Sequence, residues 1–114
     1  MPLATCHCGS VSVEIPHAPQ MVSDCNCTIC RRYGVLWAYY KENDVTVNAP
    51  EGSTDGYIWG DKILRFVRCR NCGCVTHWER IEHVAGSKMG VNARNLDPSL
   101  LENVPVEILD GLTD

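Results

Sequence analysis

The chain has 114 residues, a length typical of one domain, and we predict a single domain over residues 1–114. Its formal net charge of −4 argues against a nucleic-acid-binding protein, because that class usually carries a basic surplus. With one Phe and eight Cys, the apolar core is expected to be thin and to need disulfides or metal for stability. We see no leader peptide at the N-terminus and no membrane-length apolar stretch. We therefore expect a cytoplasmic protein whose reduced thiols bind metal.

Short segments that alternate apolar and polar residues recur along the chain, separated by Gly and Pro. This period-two alternation is typical of half-buried antiparallel strands. It predicts strands at residues 10–15, 35–40, 44–49, 56–60, 62–69, 74–79, 87–93 and 104–109. One short helix is predicted over residues 97–103, with Asp97 as its N-cap and Pro98 in its first position. The sequence thus predicts a small, mainly β domain of antiparallel hairpins.

Two cysteine pairs lie far apart in the sequence: Cys6 and Cys8 form a C-x-C motif, and Cys69 and Cys72 form a C-x-x-C motif. In an extended strand, residues i and i+2 lie about 7 Å apart on one face, which is long for a disulfide but easily closed onto a shared ion. Gly73 allows the positive φ of a knuckle turn that aims backbone N–H groups at the sulfurs. The four cysteines therefore predict a closed structural zinc site. The alternative is that some of them are inert buried thiols.

The stretch DCNCTICRR leaves Cys25, Cys27 and Cys30 as a group of three. Three protein ligands and one open position are how catalytic zinc is held. The alternative is a second closed site, with Cys74 or a histidine as the fourth ligand. Cys74 could also be a buried thiol or a reactive one.

Four arginines lie beside the cysteines: Arg31 and Arg32 follow Cys30, and Arg68 and Arg70 flank Cys69. Cations near thiolates are expected in two cases. They can neutralise the thiolate charge, or they can receive an anionic substrate. The spacing alone does not choose between these roles.

The segments CHCGSVSVEI, DCNCTICRR, CRNCGCVTHW and VNARNLDP, in this order, resemble the glutathione-dependent formaldehyde-activating enzyme family, which includes the centromere protein V-like proteins. The resemblance implies a small β-tent of antiparallel sheets with two zinc ions per chain. The structural zinc would be held by Cys6, Cys8, Cys69 and Cys72. The second zinc would be held at an open catalytic site by Cys25, Cys27 and Cys30.

The resemblance also implies an activity. The family condenses glutathione with formaldehyde to S-(hydroxymethyl)glutathione, so we expect a zinc-dependent carbon–sulfur lyase-type enzyme. Its partners would be a small thiol and a small aldehyde, with neither nucleic acid nor membrane involved. Arg31 and Arg32 are then expected to contact the carboxylates of the thiol ligand. The alternatives are a non-catalytic zinc-binding module, a thiol carrier and a redox sensor. The chain has Cys74 where many relatives carry Ser or Thr, and this departure leaves the substrate open.

Four large aromatic residues and one histidine have two possible roles each. Core packing is the favoured role for Trp37, Tyr39, Trp59 and Trp78, and the alternative is that one of them walls a ligand pocket. For His77, a hydrogen-bonded structural role is favoured over that of a general base near the second zinc.

Overall fold

The computed structural model describes residues 1–60 and 62–110, and within this part of the chain the fold is mainly β. The strands are β1 (Leu3–Thr5), β2 (Ser12–Glu14), β3 (Val22–Cys25), β4 (Trp37–Lys41), β5 (Thr46–Asn48), β6 (Thr54–Ile58), β7 (Leu64–Cys69), β8 (Val75–Arg80), β9 (Lys88–Asn92) and β10 (Val106–Leu109). The helix α1 spans Cys30–Tyr33, and short 3-10 turns span Glu42–Asp44, Ala93–Asn95 and Pro98–Leu101. The predicted fold class is confirmed. The last four residues of the predicted domain lie outside the described residues.

The strands form two sheets. The smaller has the order β1-β2-β5, and the larger has the order β10-β3-β4-β9-β8-β7-β6. Neighbouring strands are antiparallel except at one edge, where β10 runs parallel to β3 with Val106 opposite Val22. The prediction of antiparallel hairpins is wrong at this edge. Nearly the whole domain separates β3 from β10, so no tight turn forces the returning strand to run antiparallel.

Strand β4 lies between two of the apolar clusters of the molecule. Ala38 and Tyr40 face the core between the two sheets, where they pack with Val13 of β2. Trp37 points to the opposite side and packs in a second cluster with Phe66. Because successive side chains of a strand alternate between faces, β4 contributes to both regions at once.

Each of the eight predicted strands overlaps an observed strand, whereas β1 and β3 were not predicted. The predicted helix over residues 97–103 is a shorter 3-10 turn. It begins as expected, with Pro98 first and with the Asp97 carboxylate accepting a hydrogen bond of 3.0 Å from the backbone N–H of Ser99. No helix in the described part of the chain is long and apolar enough to span a bilayer.

Candidate metal centres and the adjoining cavity

The cysteines at residues 6, 8, 69 and 72 come together in space, with their Sγ atoms all within 4.8 Å of one another. The Sγ atom of Cys8 lies 3.7 Å from that of Cys6 and 3.6 Å from that of Cys69. Thiolates bound tetrahedrally to one zinc ion at about 2.3 Å would be about 3.8 Å apart. The observed spacing therefore fits a tetrahedral metal ion, and the cluster could hold one.

Two tight turns position this four-cysteine cluster. After β1, Gly9 adopts a φ of 82°, and the backbone N–H of Val11 donates to Cys6 Sγ at 3.3 Å. After β7, Gly73 adopts a φ of 80° and donates its N–H to the Cys69 carbonyl at 2.9 Å. The expectation of an extended C-x-C segment was wrong, because residues 6–8 enter a turn. The turn brings the Sγ atoms of Cys6 and Cys8 to 3.7 Å, closer than the roughly 7 Å between residues i and i+2 of an extended strand.

Hydrogen bonds lower the pKa of two thiols in this cluster, those of Cys72 and Cys8. The backbone N–H groups of Cys74 and Cys8 point at the Cys72 sulfur and lower the pKa of that thiol to about 7. The Ser10 side chain, 3.2 Å from Cys8 Sγ, lowers the pKa of Cys8 to about 5. Thiols that ionise this readily are well suited to bind a metal, because the ligand must be deprotonated.

The second group consists of Cys25 at the end of β3, Cys27 in the following loop and Cys30 at the start of α1. Their Sγ atoms also lie within 4.8 Å of one another, so this three-cysteine cluster could hold a second metal ion. Among residues 1–60 and 62–110, no fourth Cys, His, Asp or Glu joins the group. Within the described residues, neither Cys74 nor a histidine lies close enough to the three sulfurs to belong to the group.

Two N–H groups donate hydrogen bonds that orient two of the sulfurs in the three-cysteine cluster. The backbone N–H of Cys30 donates to Cys27 Sγ at 3.3 Å, and the indole Nε1–H of Trp37 donates to Cys30 Sγ at 3.3 Å. Burial opposes ionisation of Cys27, but the hydrogen bond from Cys30 lowers the pKa of Cys27 overall. Burial raises the pKa of Cys30. The cluster is thus oriented by its own turn and by one residue of β4.

A cavity of about 520 Å³ opens beside the three cysteines, which form part of its lining. Its other walls consist mainly of apolar side chains: Ile29, Trp37, Tyr39, Trp59, Gly60, Ile63, Leu64, Phe66 and Trp78. The favoured core role therefore holds for Trp37, which is 2% exposed, but even Trp37 contributes to the cavity. Trp59 and Trp78 pack against the apolar cluster around Phe66 and also wall this cavity, whereas Tyr39 is 39% exposed and belongs to the wall rather than to the core.

The register of the large sheet explains why two of these rings meet. Tyr39 on β4 and Trp78 on β8 both pair with Gly90, which lies on β9 between them. Because Gly90 has no side chain, the rings approach across it to a centroid separation of 6.1 Å. The wall of the cavity is therefore built across three strands, from residues far apart in the sequence.

The sequence pattern that defines the glutathione-dependent formaldehyde-activating enzyme family matches residues 1–107. The chain belongs to this family. It is also similar to a crystal structure of a Rhodobacter sphaeroides protein, with 30% sequence identity and a TM-score of 0.73, over 91% of this chain and 98% of that one. No curated protein matches the chain.

The family name points to glutathione, which carries two carboxylates, so the positions of Arg31 and Arg32 matter. Both side chains are exposed on α1, and neither belongs to the lining of the cavity. The Arg32 guanidinium instead donates to the Thr28 carbonyl at 2.7 Å. Contact between these arginines and a ligand carboxylate stays a prediction.

Two further residues that could have served the family chemistry lie away from the three-cysteine cluster. His77 is 2% exposed, its Nδ1 lies 2.8 Å from the Thr76 hydroxyl, and it does not line the cavity. This environment supports the structural role favoured for it. Cys74 packs half-buried beside the four-cysteine cluster, so it does not face the second candidate metal centre.

Proposed function

We propose that this protein is a zinc-dependent enzyme of carbon–sulfur chemistry that adds a thiol to an aldehyde, as in the synthesis of S-(hydroxymethyl)glutathione. One observation carries the proposal: three cysteines share a site, no fourth described donor joins them, and a cavity opens beside them. Three soft thiolate ligands suit zinc, and an incomplete protein ligand set is typical of catalytic rather than structural sites. The family to which the chain belongs supports glutathione and formaldehyde as the substrate classes.

The proposed reaction balances without an external oxidant or reductant. The thiol sulfur forms a bond to the carbonyl carbon, and the electron pair of the carbonyl π bond moves to the oxygen. The thiol proton ends on that oxygen, which gives a hydroxyalkyl thioether. A zinc ion held by Cys25, Cys27 and Cys30 would lower the pKa of an incoming thiol or polarise the carbonyl oxygen.

Tyr39 is the residue we assign to the developing oxyanion. It is the one hydroxyl-bearing side chain among the described residues that line the cavity. Burial raises the pKa of its phenol, so the group stays protonated at neutral pH and can donate a hydrogen bond. Donors placed where charge develops in the transition state are a major source of rate enhancement.

The four-cysteine cluster would have a different task. Four protein thiols would fill the four positions of a tetrahedral zinc ion there, which would leave no place for a substrate. The cluster joins the turn after β1 to the turn after β7, so a zinc ion there would stabilise the fold directly.

The test is whether the protein accelerates adduct formation. Thiol and aldehyde combine without a catalyst, so the exchange rate between free and adduct forms should be measured by magnetisation-transfer NMR, with and without protein. We expect acceleration by the zinc-loaded protein and none by Cys27→Ser, which removes one ligand of the second site. Equal rates with the two proteins, at full zinc content of the native chain, would contradict the proposal.

A non-catalytic thiol carrier is the second candidate. It is favoured by one observation: the described residues that line the cavity include no Asp, Glu, His or Lys that could act as a general base. A carrier would bind the thiol at the three-cysteine site without accelerating exchange. The NMR measurement therefore separates the two candidates.

A further inference from the structure

The cavity beside the three-cysteine cluster is much larger and more aromatic than a site for formaldehyde requires. Its volume of about 520 Å³ lies in the range of sites that enclose drug-sized ligands. The chain has three Trp and one Phe, and all four line this cavity: Trp37, Trp59, Trp78 and Phe66. The largest apolar side chains are thus used around the candidate centre rather than in the core between the sheets.

The charges of glutathione have no partner in this lining. At neutral pH glutathione carries two carboxylates and one ammonium group. Apart from the cysteines, the described lining residues offer no titratable group except the phenol of Tyr39, and none offers a cation. Arg31 and Arg32 are exposed and lie outside the lining. Moving unpaired charges from water into an apolar cavity is unfavourable, so the walls select against a charged ligand.

We propose that the thiol taken by this site is apolar, with an aromatic or aliphatic group that fills the cavity while its sulfur reaches the three cysteines. This inference rests on the proposed function and names the substrate class of the same site. The rings already contact one another in tilted geometry, with centroids 6.2 Å apart for Trp37 and Phe66 and 6.1 Å apart for Tyr39 and Trp78. Aromatic rings favour such offset and tilted arrangements, and a ligand ring would extend the same packing.

Part of the wall is accessible to solvent and can be changed without opening the core. Trp59 is only partly buried and follows β6, and Ile63 is 47% exposed. Tyr57 lies two residues before Trp59, is 45% exposed and does not line the cavity. Tyr57 therefore provides a matched aromatic control for Trp59.

The test compares three ligands by isothermal titration calorimetry on the zinc-loaded protein: phenylmethanethiol, glutathione and phenylmethanol. Because all three tryptophans line the cavity, their fluorescence gives an independent readout of occupancy. We expect phenylmethanethiol to bind at least tenfold more tightly than glutathione, a difference of about 1.4 kcal/mol. We expect phenylmethanol, which lacks the sulfur, to bind more weakly than the thiol.

Each contrary result has a distinct meaning. If glutathione binds as tightly as phenylmethanethiol or more tightly, the proposal of an apolar thiol substrate is wrong, while the proposed thiol site stands. If phenylmethanol binds as tightly as the thiol, the apolar class stands and the proposed thiol function is wrong. If none of the three binds, both are overturned.

A pair of variants tests whether the aromatic wall carries the selectivity. Trp59→Ala should weaken phenylmethanethiol binding at least fivefold and reduce its advantage over glutathione. Tyr57→Ala should leave both affinities within twofold of the native values. An unchanged selectivity in Trp59→Ala, with zinc content and fold retained, would contradict a role for the wall. The ligand comparison on the native chain decides the substrate class even if a variant fails to fold.

Discussion

The indole ring of Trp78 lies over Gly90 and occupies the space that a side chain at residue 90 would need. A β-carbon built on Gly90 would overlap the Nε1, Cδ1 and Cε2 atoms of Trp78. On the other side of β9, Tyr39 pairs with the same glycine. The wall of the cavity therefore depends on the absence of a side chain at Gly90 in the larger sheet.

We predict that Gly90→Ala destabilises the protein by about 1–3 kcal/mol, the usual cost of overpacking. The Trp78 indole is rigid, so it cannot make room for the new methyl group without moving as a whole. Chemical denaturation at fixed zinc concentration measures the change. Gly56→Ala is the control, because the overlapping group there is the flexible side chain of Arg65. A smaller loss for Gly90→Ala than for Gly56→Ala would contradict this account of the wall.

We predict that Trp37→Phe weakens zinc binding at the three-cysteine cluster by roughly 10- to 100-fold, the range for loss of a group that hydrogen-bonds a metal ligand. The substitution keeps the aromatic ring but removes the N–H that donates to Cys30 Sγ. Competition with a chromophoric chelator measures the affinity. Trp59→Phe alters the same cavity at a tryptophan that donates to none of the cysteine sulfurs, so it should leave the zinc affinity within about threefold. Equal effects of the two substitutions would show that the indole N–H does not act on the metal site.

The two cysteine clusters should respond differently to ligand removal. We predict that Cys6→Ser or Cys69→Ser prevents stable folding, because a structural zinc contributes its binding free energy to folding. Cys27→Ser should give a folded protein with one zinc ion. Circular dichroism and elemental analysis of the same preparations measure both properties. A folded, one-zinc Cys69→Ser protein would contradict the assignment of the structural site.

We predict that Tyr39→Phe lowers kcat by roughly 100-fold, the lower end for loss of one oxyanion donor, while thiol affinity stays within twofold. The ring remains, so the cavity keeps its shape, but the donor is gone. Exchange rates by NMR and affinities by calorimetry measure the two effects. Tyr40→Phe is the control on the same strand: its hydroxyl donates to the His17 carbonyl at 3.0 Å on the other side of the sheet. A loss of affinity without a loss of kcat would mean that Tyr39 only shapes the cavity.

The predicted contact of Arg31 and Arg32 with carboxylates can be separated from binding in the cavity. We expect the double variant Arg31→Ala/Arg32→Ala to weaken glutathione binding about tenfold, roughly 1.4 kcal/mol, and the effect to shrink with added salt because both side chains are exposed. The affinity for uncharged phenylmethanethiol should not change. Titration calorimetry of both ligands measures these affinities. An unchanged glutathione affinity would mean that the two arginines neutralise thiolate charge and do not contact the ligand.

Much of the fold follows from local sequence, and the exceptions have physical reasons. Period-two alternation predicted eight of the described strands, whereas β1 (sequence LAT) and β3 (sequence VSDC) do not alternate apolar and polar residues. The four residues of α1 are too few for a helical pattern. The parallel pairing of β10 with β3 is a long-range contact that no local pattern records.

The candidate site was likewise predicted only in part from the sequence. Cysteine spacing distinguished the cluster of four from the cluster of three. Cys25, Cys27 and Cys30 are joined by short loops, whereas the other four form two close pairs that meet in space. The aromatic wall could not be predicted, because Tyr39 and Trp78 meet only through their common register with Gly90. Because successive side chains of a strand alternate between faces, Trp37 and Tyr39 share one face of β4. No local pattern indicates that this face borders a cavity rather than a second core.

The most direct test of the central claim is X-ray absorption spectroscopy at the zinc edge, before and after addition of phenylmethanethiol. Two zinc ions, one with four cysteines and one with three, predict an average of about 3.5 sulfur ligands per zinc and one light atom at half occupancy. Addition of the thiol should raise the average to about four sulfurs and remove the light-atom contribution. An average of four sulfurs without added thiol, or a spectrum unchanged by it, would contradict an open zinc site that binds a thiol.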